Sequence, residues 1–151
     1  MNLFSKIFKS NKIECPRCLG KGHVDLNDIK RLKKEIQWKS GKCAYCNGKG
    51  KVNSKILSKV PFDNIYLGNN LPKEERNRIF NNDSGAIKRG IEYENNIEII
   101  TQQVNFLFEF GLDKNDIFKF YKIQLLKSKL SEKEIMEFGE FIEKIISLNK
   151  N

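Results

Sequence analysis

The sequence predicts a mainly α protein in two parts: a small metal-binding module with an inserted helix, then a three- to four-helix bundle. Three observations carry that expectation. All four cysteines lie in the first third of the chain, as two C-x-x-C pairs. Beyond residue 72, apolar residues recur three and four positions apart, the period of a helix with one buried face. Those stretches start and stop at residues that cap helices. The 151 residues are 39% hydrophobic and 11% aromatic, with eleven Phe. That is enough apolar material for a core and excludes wholesale disorder.

Charge is uneven. The formal net charge is +9, yet residues 1–60 hold 15 Lys/Arg against four acids, while residues 61–151 hold 13 against 15. Such asymmetry suggests separate jobs, with an anionic partner for the first part or simply a solubilising surface. No apolar run approaches the ~18–20 residues of a membrane-crossing helix. The opening residues lack the apolar stretch and cleavage site of a secretory leader, so a cytoplasmic location is expected. Residues 1–13 form an amphipathic segment: Leu3, Phe4, Ile7 and Phe8 share one side, with Lys6, Lys9 and Lys12 nearby. It would dock on the protein itself or make weak peripheral contact with an anionic membrane.

Residues 14–53 form the metal-binding module. Its two repeats are Cys15-Pro-Arg-Cys18-Leu-Gly20-Lys-Gly22 and Cys43-Ala-Tyr-Cys46-Asn-Gly48-Lys-Gly50, with Val24 and Val52 each two residues further on. A C-x-x-C turn aims two sulfurs at one metal, and two turns complete a tetrahedron, so Cys15, Cys18, Cys43 and Cys46 read as ligands of one zinc ion. Gly20, Gly22, Gly48 and Gly50 shape the turns, allowing positive φ and letting backbone N–H groups approach the thiolates. Two disulfides would suit an exported chain, and free redox dithiols would suit a thioredoxin-like β-α-β pattern, which is missing. His23 is not needed as a ligand, because four thiolates satisfy zinc.

Between the pairs, residues 25–38 read as a helix capped by Asp25 or Asn27 and closed by Gly41, with Ile29, Leu32 and Ile36 on its apolar face. On such a helix Trp38 falls opposite that face, beside Lys30, Arg31 and Lys34. With Tyr45 as a second platform, this set could stack bases and pair phosphates of single-stranded nucleic acid. The alternative is that Trp38 ends its helix and packs on the metal turns or the second domain.

Residues 54–71 read as a connector that packs down, and residues 72–149 as the bundle. Pro72 opens a short helix ending at Phe80, before a break at residues 81–85. A long helix runs from about Ser84 to Phe110, closed by Gly111, with Tyr93, Ile97, Ile100, Val104 and Leu107 in one stripe. Asp113 and Asp116 start the next helix, which carries Ile117, Phe120, Tyr121 and Leu125. Ser131 and Glu134 form a capping box for the last, which carries Ile135, Phe138, Ile142 and Ile145. This half has no histidine, cysteine or phosphate-binding glycine loop, and the expectation is that the protein is not an enzyme.

The repeated C-x-x-C-x-G-x-G pattern over residues 15 to about 52 resembles the DnaJ-type cysteine-rich zinc domain. The full form of that domain has four repeats and two zinc ions; two repeats imply one zinc. The resemblance implies contacts with non-native polypeptides or dedicated protein partners. A His-Pro-Asp tripeptide is missing, so nothing supports a J domain. The expected function is therefore a chaperone-like or adaptor protein binding polypeptide through the zinc module, with RNA or single-stranded DNA binding as the alternative.

Overall fold

The computed structural model describes residues 11–150. The chain separates into two compact units, Met1–Glu92 and Tyr93–Asn151. The fold is mainly α, as predicted: six helices and two small two-stranded sheets among the described residues. No helix among them is long and apolar enough to cross a membrane. The amphipathic stripe expected around Leu3 to Phe8 lies outside the described residues.

In the first unit, β1 (Lys12–Glu14) pairs antiparallel with β4 (Lys51–Asn53), and β2 (His23–Val24) pairs antiparallel with β3 (Gly41–Lys42). Each ribbon thus joins a strand flanking one cysteine repeat to a strand flanking the other. Val24 and Val52 leave these ribbons into the core and are both buried. The inserted helix is shorter than predicted: α1 spans Leu26–Arg31. Asp25 and Asp28 form a capping box at its start. At its end Lys33 takes φ +56°, and the N–H groups of Lys33 and Lys34 return to the carbonyls of Lys30 and Ile29. That Schellman closure stops the helix. The stop is hard to foresee because a lysine, rather than a glycine, occupies the left-handed position.

Two short helices follow, α2 (Ile56–Lys59) and α3 (Lys73–Phe80). The segment around them packs down on the cysteine turns: Leu67 is fully buried, and Val60, Ile79 and Ala86 join the same core as the four cysteines. The compact unit therefore extends to Glu92 and takes in residues 72–92, which the sequence reading assigned to the bundle. The physical reason is packing around the second cysteine turn, where Phe80 meets Tyr45 with ring centres 6.0 Å apart.

The helix α4 covers Ser84–Glu109, and a second Schellman closure ends it, with Gly111 at φ +105° and Leu112 N–H bonded to the Leu107 carbonyl. In the second unit α5 (Lys114–Lys127) starts at Asp113, whose carboxylate accepts the Asp116 N–H at 2.9 Å. The helix α6 (Glu132–Asn149) starts at the Ser131–Glu134 capping box. Val104, Ile117, Tyr121, Ile142, Ile145 and Ile146 are buried. Gly139 lets α6 approach Phe118 closely, since a Cβ there would lie 3.0 Å from the ring. Phe120, expected in the core stripe, instead faces outward and meets Tyr121 edge-on.

Candidate metal centre

The two cysteine repeats fold as near copies of each other. Leu19 and Asn47, the residues after each pair, take φ of 52° and 54°. Gly20 and Gly48 follow at 82° and 77°, then Gly22 and Gly50 at 79° and 76°. Side chains larger than hydrogen resist these angles at the glycine positions. The turns also interlock: the Cys15 N–H donates to the Gly50 carbonyl at 2.9 Å, and the Cys43 N–H to the Gly22 carbonyl at 3.0 Å. A Cβ on Gly22 would fall 2.6 Å from the Gly48 carbonyl oxygen, so the predicted turn-shaping glycines also let the repeats approach.

This frame brings Cys15, Cys18, Cys43 and Cys46 together, all buried, with every sulfur within 4.8 Å of the others. All four are free thiols. Across the repeats, Cys15 Sγ lies 3.9 Å from Cys43 Sγ and Cys18 Sγ 3.8 Å from Cys46 Sγ. A tetrahedral ion with metal–sulfur bonds of ~2.3 Å has sulfur–sulfur edges of about 3.8 Å, so the donor set fits such an ion. The Gly22 N–H donates to Cys18 Sγ at 3.3 Å and the Gly50 N–H to Cys46 Sγ at 3.2 Å. These bonds favour the thiolate form that a metal needs. Against them, burial raises the Cys18 thiol, and the contact with Cys15, followed by burial, raises Cys43. Metal binding therefore has to displace protons that the site holds firmly.

Arg17 is the residue that sequence reasoning missed. Sitting between the first two cysteines, it is almost wholly buried. Its Nε donates to the Phe62 carbonyl at 2.6 Å, one terminal nitrogen to the Leu67 carbonyl and the other to the Asn64 carbonyl at 3.2 Å. The guanidinium lies 4.1 Å from the Trp38 ring centre and 5.5 Å from that of Tyr45. Burial pulls its pKa down to about 10, while Cys43, Cys15 and Tyr45 oppose that shift. It remains a cation at neutral pH beside a centre that becomes anionic on loading.

The nucleic-acid set predicted from the sequence is not assembled. Trp38 is buried and its Nε1–H donates to the Ile65 carbonyl at 3.1 Å. Tyr45 is buried and its hydroxyl donates to the Val60 carbonyl at 2.7 Å. Neither ring offers a face to a base, because the helix that was to carry Trp38 outward ends at Arg31. Arg31 itself clamps the first cysteine turn, donating to the Arg17 carbonyl at 2.8 Å and the Pro16 carbonyl at 3.3 Å. Lys30 is exposed and Lys34 half-buried.

No protein-family model matches the sequence, and neither a curated protein nor a solved structure matches it. Fold and site define the class by themselves: a mainly α chain with a buried four-thiol cluster able to hold one metal ion.

Proposed function

We propose that the protein is a non-enzymatic, zinc-binding adaptor or chaperone-like protein whose cysteine module binds polypeptide. The observation that carries this reading is the duplicated thiol turn. Four buried sulfurs would fill all four positions of a tetrahedral ion, leaving none open for a substrate or water, as in structural zinc sites. Zinc suits an all-sulfur tetrahedron, and reducing cytoplasm would keep the thiols free to bind it. The polypeptide part rests on the resemblance of the repeats to the DnaJ-type domain, together with Leu19. This side chain projects from the first metal turn and is half exposed; a rigid turn presenting an aliphatic group offers preorganised apolar contact.

The test uses zinc-loaded full chain and reduced, alkylated α-lactalbumin as the non-native polypeptide. One zinc per chain and saturable binding are expected. Cys43→Ser abolishes both, and Leu19→Asp keeps the zinc while weakening the binding. Zinc-loaded protein that ignores the unfolded probe, or Leu19→Asp binding as well as the parent, would reject the polypeptide role.

A further inference from the structure

Beyond the metal centre, a basic concavity of the first unit has no role assigned so far. Beside the second cysteine turn lies a cleft of about 370 Å³, at the small end of the ~300–1,000 Å³ range of ligand pockets. Lys12, Lys49, Lys51, Lys73 and Arg76 line it, and no Asp or Glu does. The arrangement follows from local geometry. Lys73, Arg76, Asn77 and Phe80 are spaced i, i+3, i+4, i+7 and so share one face of α3. Lys51 and Asn53 share one face of β4, and Lys12 stands opposite Asn53 in the ribbon.

The nearby acids are turned elsewhere. Glu75 takes the Arg89 guanidinium at 2.7 and 3.0 Å. Glu14 is the cross-strand partner of Lys51, yet its Cγ packs 3.1 Å from where a Gly20 Cβ would be. Lys49, Lys51, Lys73 and Arg76 have no ion pair among the described residues. Uncompensated like charges gathered in a concavity focus a positive potential. The lining also includes Ile56 and the half-buried Phe80 ring, and three asparagines, Asn47, Asn53 and Asn77. Amides both donate and accept, as the edge of a base requires; the Asn53 oxygen already accepts the Lys55 N–H at 3.0 Å, which leaves its NH2 group to donate.

We propose that this cleft binds a nucleoside phosphate, either free or as one unit of single-stranded RNA. The cations meet the phosphate, the apolar side chains meet the base plane and the amides meet its edge. A peptide of acidic residues alone would satisfy the charge but bring no planar ring and no ring edge. The proposal does not depend on the polypeptide role or on the buried rings of Trp38 and Tyr45.

The test titrates zinc-loaded full chain with uridine 5′-monophosphate, followed by amide resonances, and with a labelled uridine decanucleotide, followed by polarisation. Shifts are expected at residues 47–53 and 73–80. Arg76→Glu should weaken binding roughly ten- to a hundredfold, as loss of a charge-assisted hydrogen bond does. Lys30→Glu, outside the cleft, should leave it within about threefold, being screened. Lys51→Glu serves in place of Arg76→Glu if zinc content or circular dichroism shows the latter misfolded. Binding of the mononucleotide alone identifies a free nucleotide, and mutual displacement of the two probes identifies an RNA strand; either upholds the site. The proposal is overturned if neither probe binds, if Lys30→Glu and Arg76→Glu weaken binding equally, or if a glutamate decapeptide displaces the probes as well as they displace each other.

Discussion

The guanidinium of Arg17 lies 4.1 Å from the ring centre of Trp38, inside the first unit. One side chain from the first metal turn thus holds an aromatic ring and three carbonyls of the segment from Phe62 to Leu67. Arg17→Met would leave those carbonyls without their donor, the buried Leu67 carbonyl above all; an unsatisfied buried group costs ~1–3 kcal/mol, and the cation–π contact with Trp38 is lost as well. A loss of roughly 3–5 kcal/mol is expected by urea unfolding. Arg17→Lys should recover only part of it, because an ammonium cannot reproduce the planar fork.

Trp38 is the single tryptophan, and it shares a core with all four cysteines. Its emission therefore reports on the metal centre. Zinc, the ion proposed for this site, would contribute ~10–16 kcal/mol of apparent binding free energy at neutral pH, comparable to the whole stability of an ordinary domain. Chelation should shift the emission to the red and restore it when zinc returns. The metal affinity should fall as pH falls, because the Cys18 and Cys43 thiols hold their protons more firmly than usual. Competition with a coloured chelator across pH 6 to 8, roughly the window over which zinc-bound thiols compete with protons, would measure the slope.

Two backbone positions should respond in opposite directions. Gly22→Ala places a methyl group 2.6 Å from the Gly48 carbonyl at φ +79°, and a loss of at least about 2 kcal/mol is expected. Lys33→Gly relieves an exposed left-handed lysine at the end of α1 and should stabilise by about 0.5–1 kcal/mol. Equilibrium unfolding of the two variants beside the parent gives both signs.

Asp25 caps α1 and takes a hydrogen bond from Lys21 Nζ at 2.5 Å. That bond, followed by the Asp28 N–H, holds its carboxyl down to about 2. A depressed folded pKa means the cap is fully stabilising above the ordinary value near 3.8 and is lost as pH falls through about 2. Carboxyl carbon shifts should show that midpoint, and Lys21→Met should raise it toward the ordinary value.

What the sequence made legible was whatever local chemistry decides. The cysteine spacing, the positive-φ glycines, the Gly111 closure, and the Asp113 and Ser131 caps all depend on residues a few positions apart. Less legible were features set by distant partners. Trp38 turned inward because Ile65 and Arg17 receive it. Arg17 carries no local sign of its role, because the carbonyls it binds lie 45 to 50 residues away. The end of α1 was hidden for a different reason: lysine carries no signature of a left-handed backbone. The basic cleft draws on β1, β4 and α3, so only the assembled unit brings its cations together.

The exchange of backbone bonds between Gly22 and Cys43, and between Gly50 and Cys15, makes the module a dimer written on one chain. Neither repeat can satisfy its own backbone or surround a metal alone; each is the template for the other. The intervening residues act as a tether that raises the effective concentration of the two halves. Severed between Lys33 and Lys39, the halves retain the backbone bonds that cross from one repeat to the other, so a split pair is expected to reunite when a metal ion that the four thiols can hold is added. Metal-dependent complementation of two fragments is thus the expected consequence of this fold.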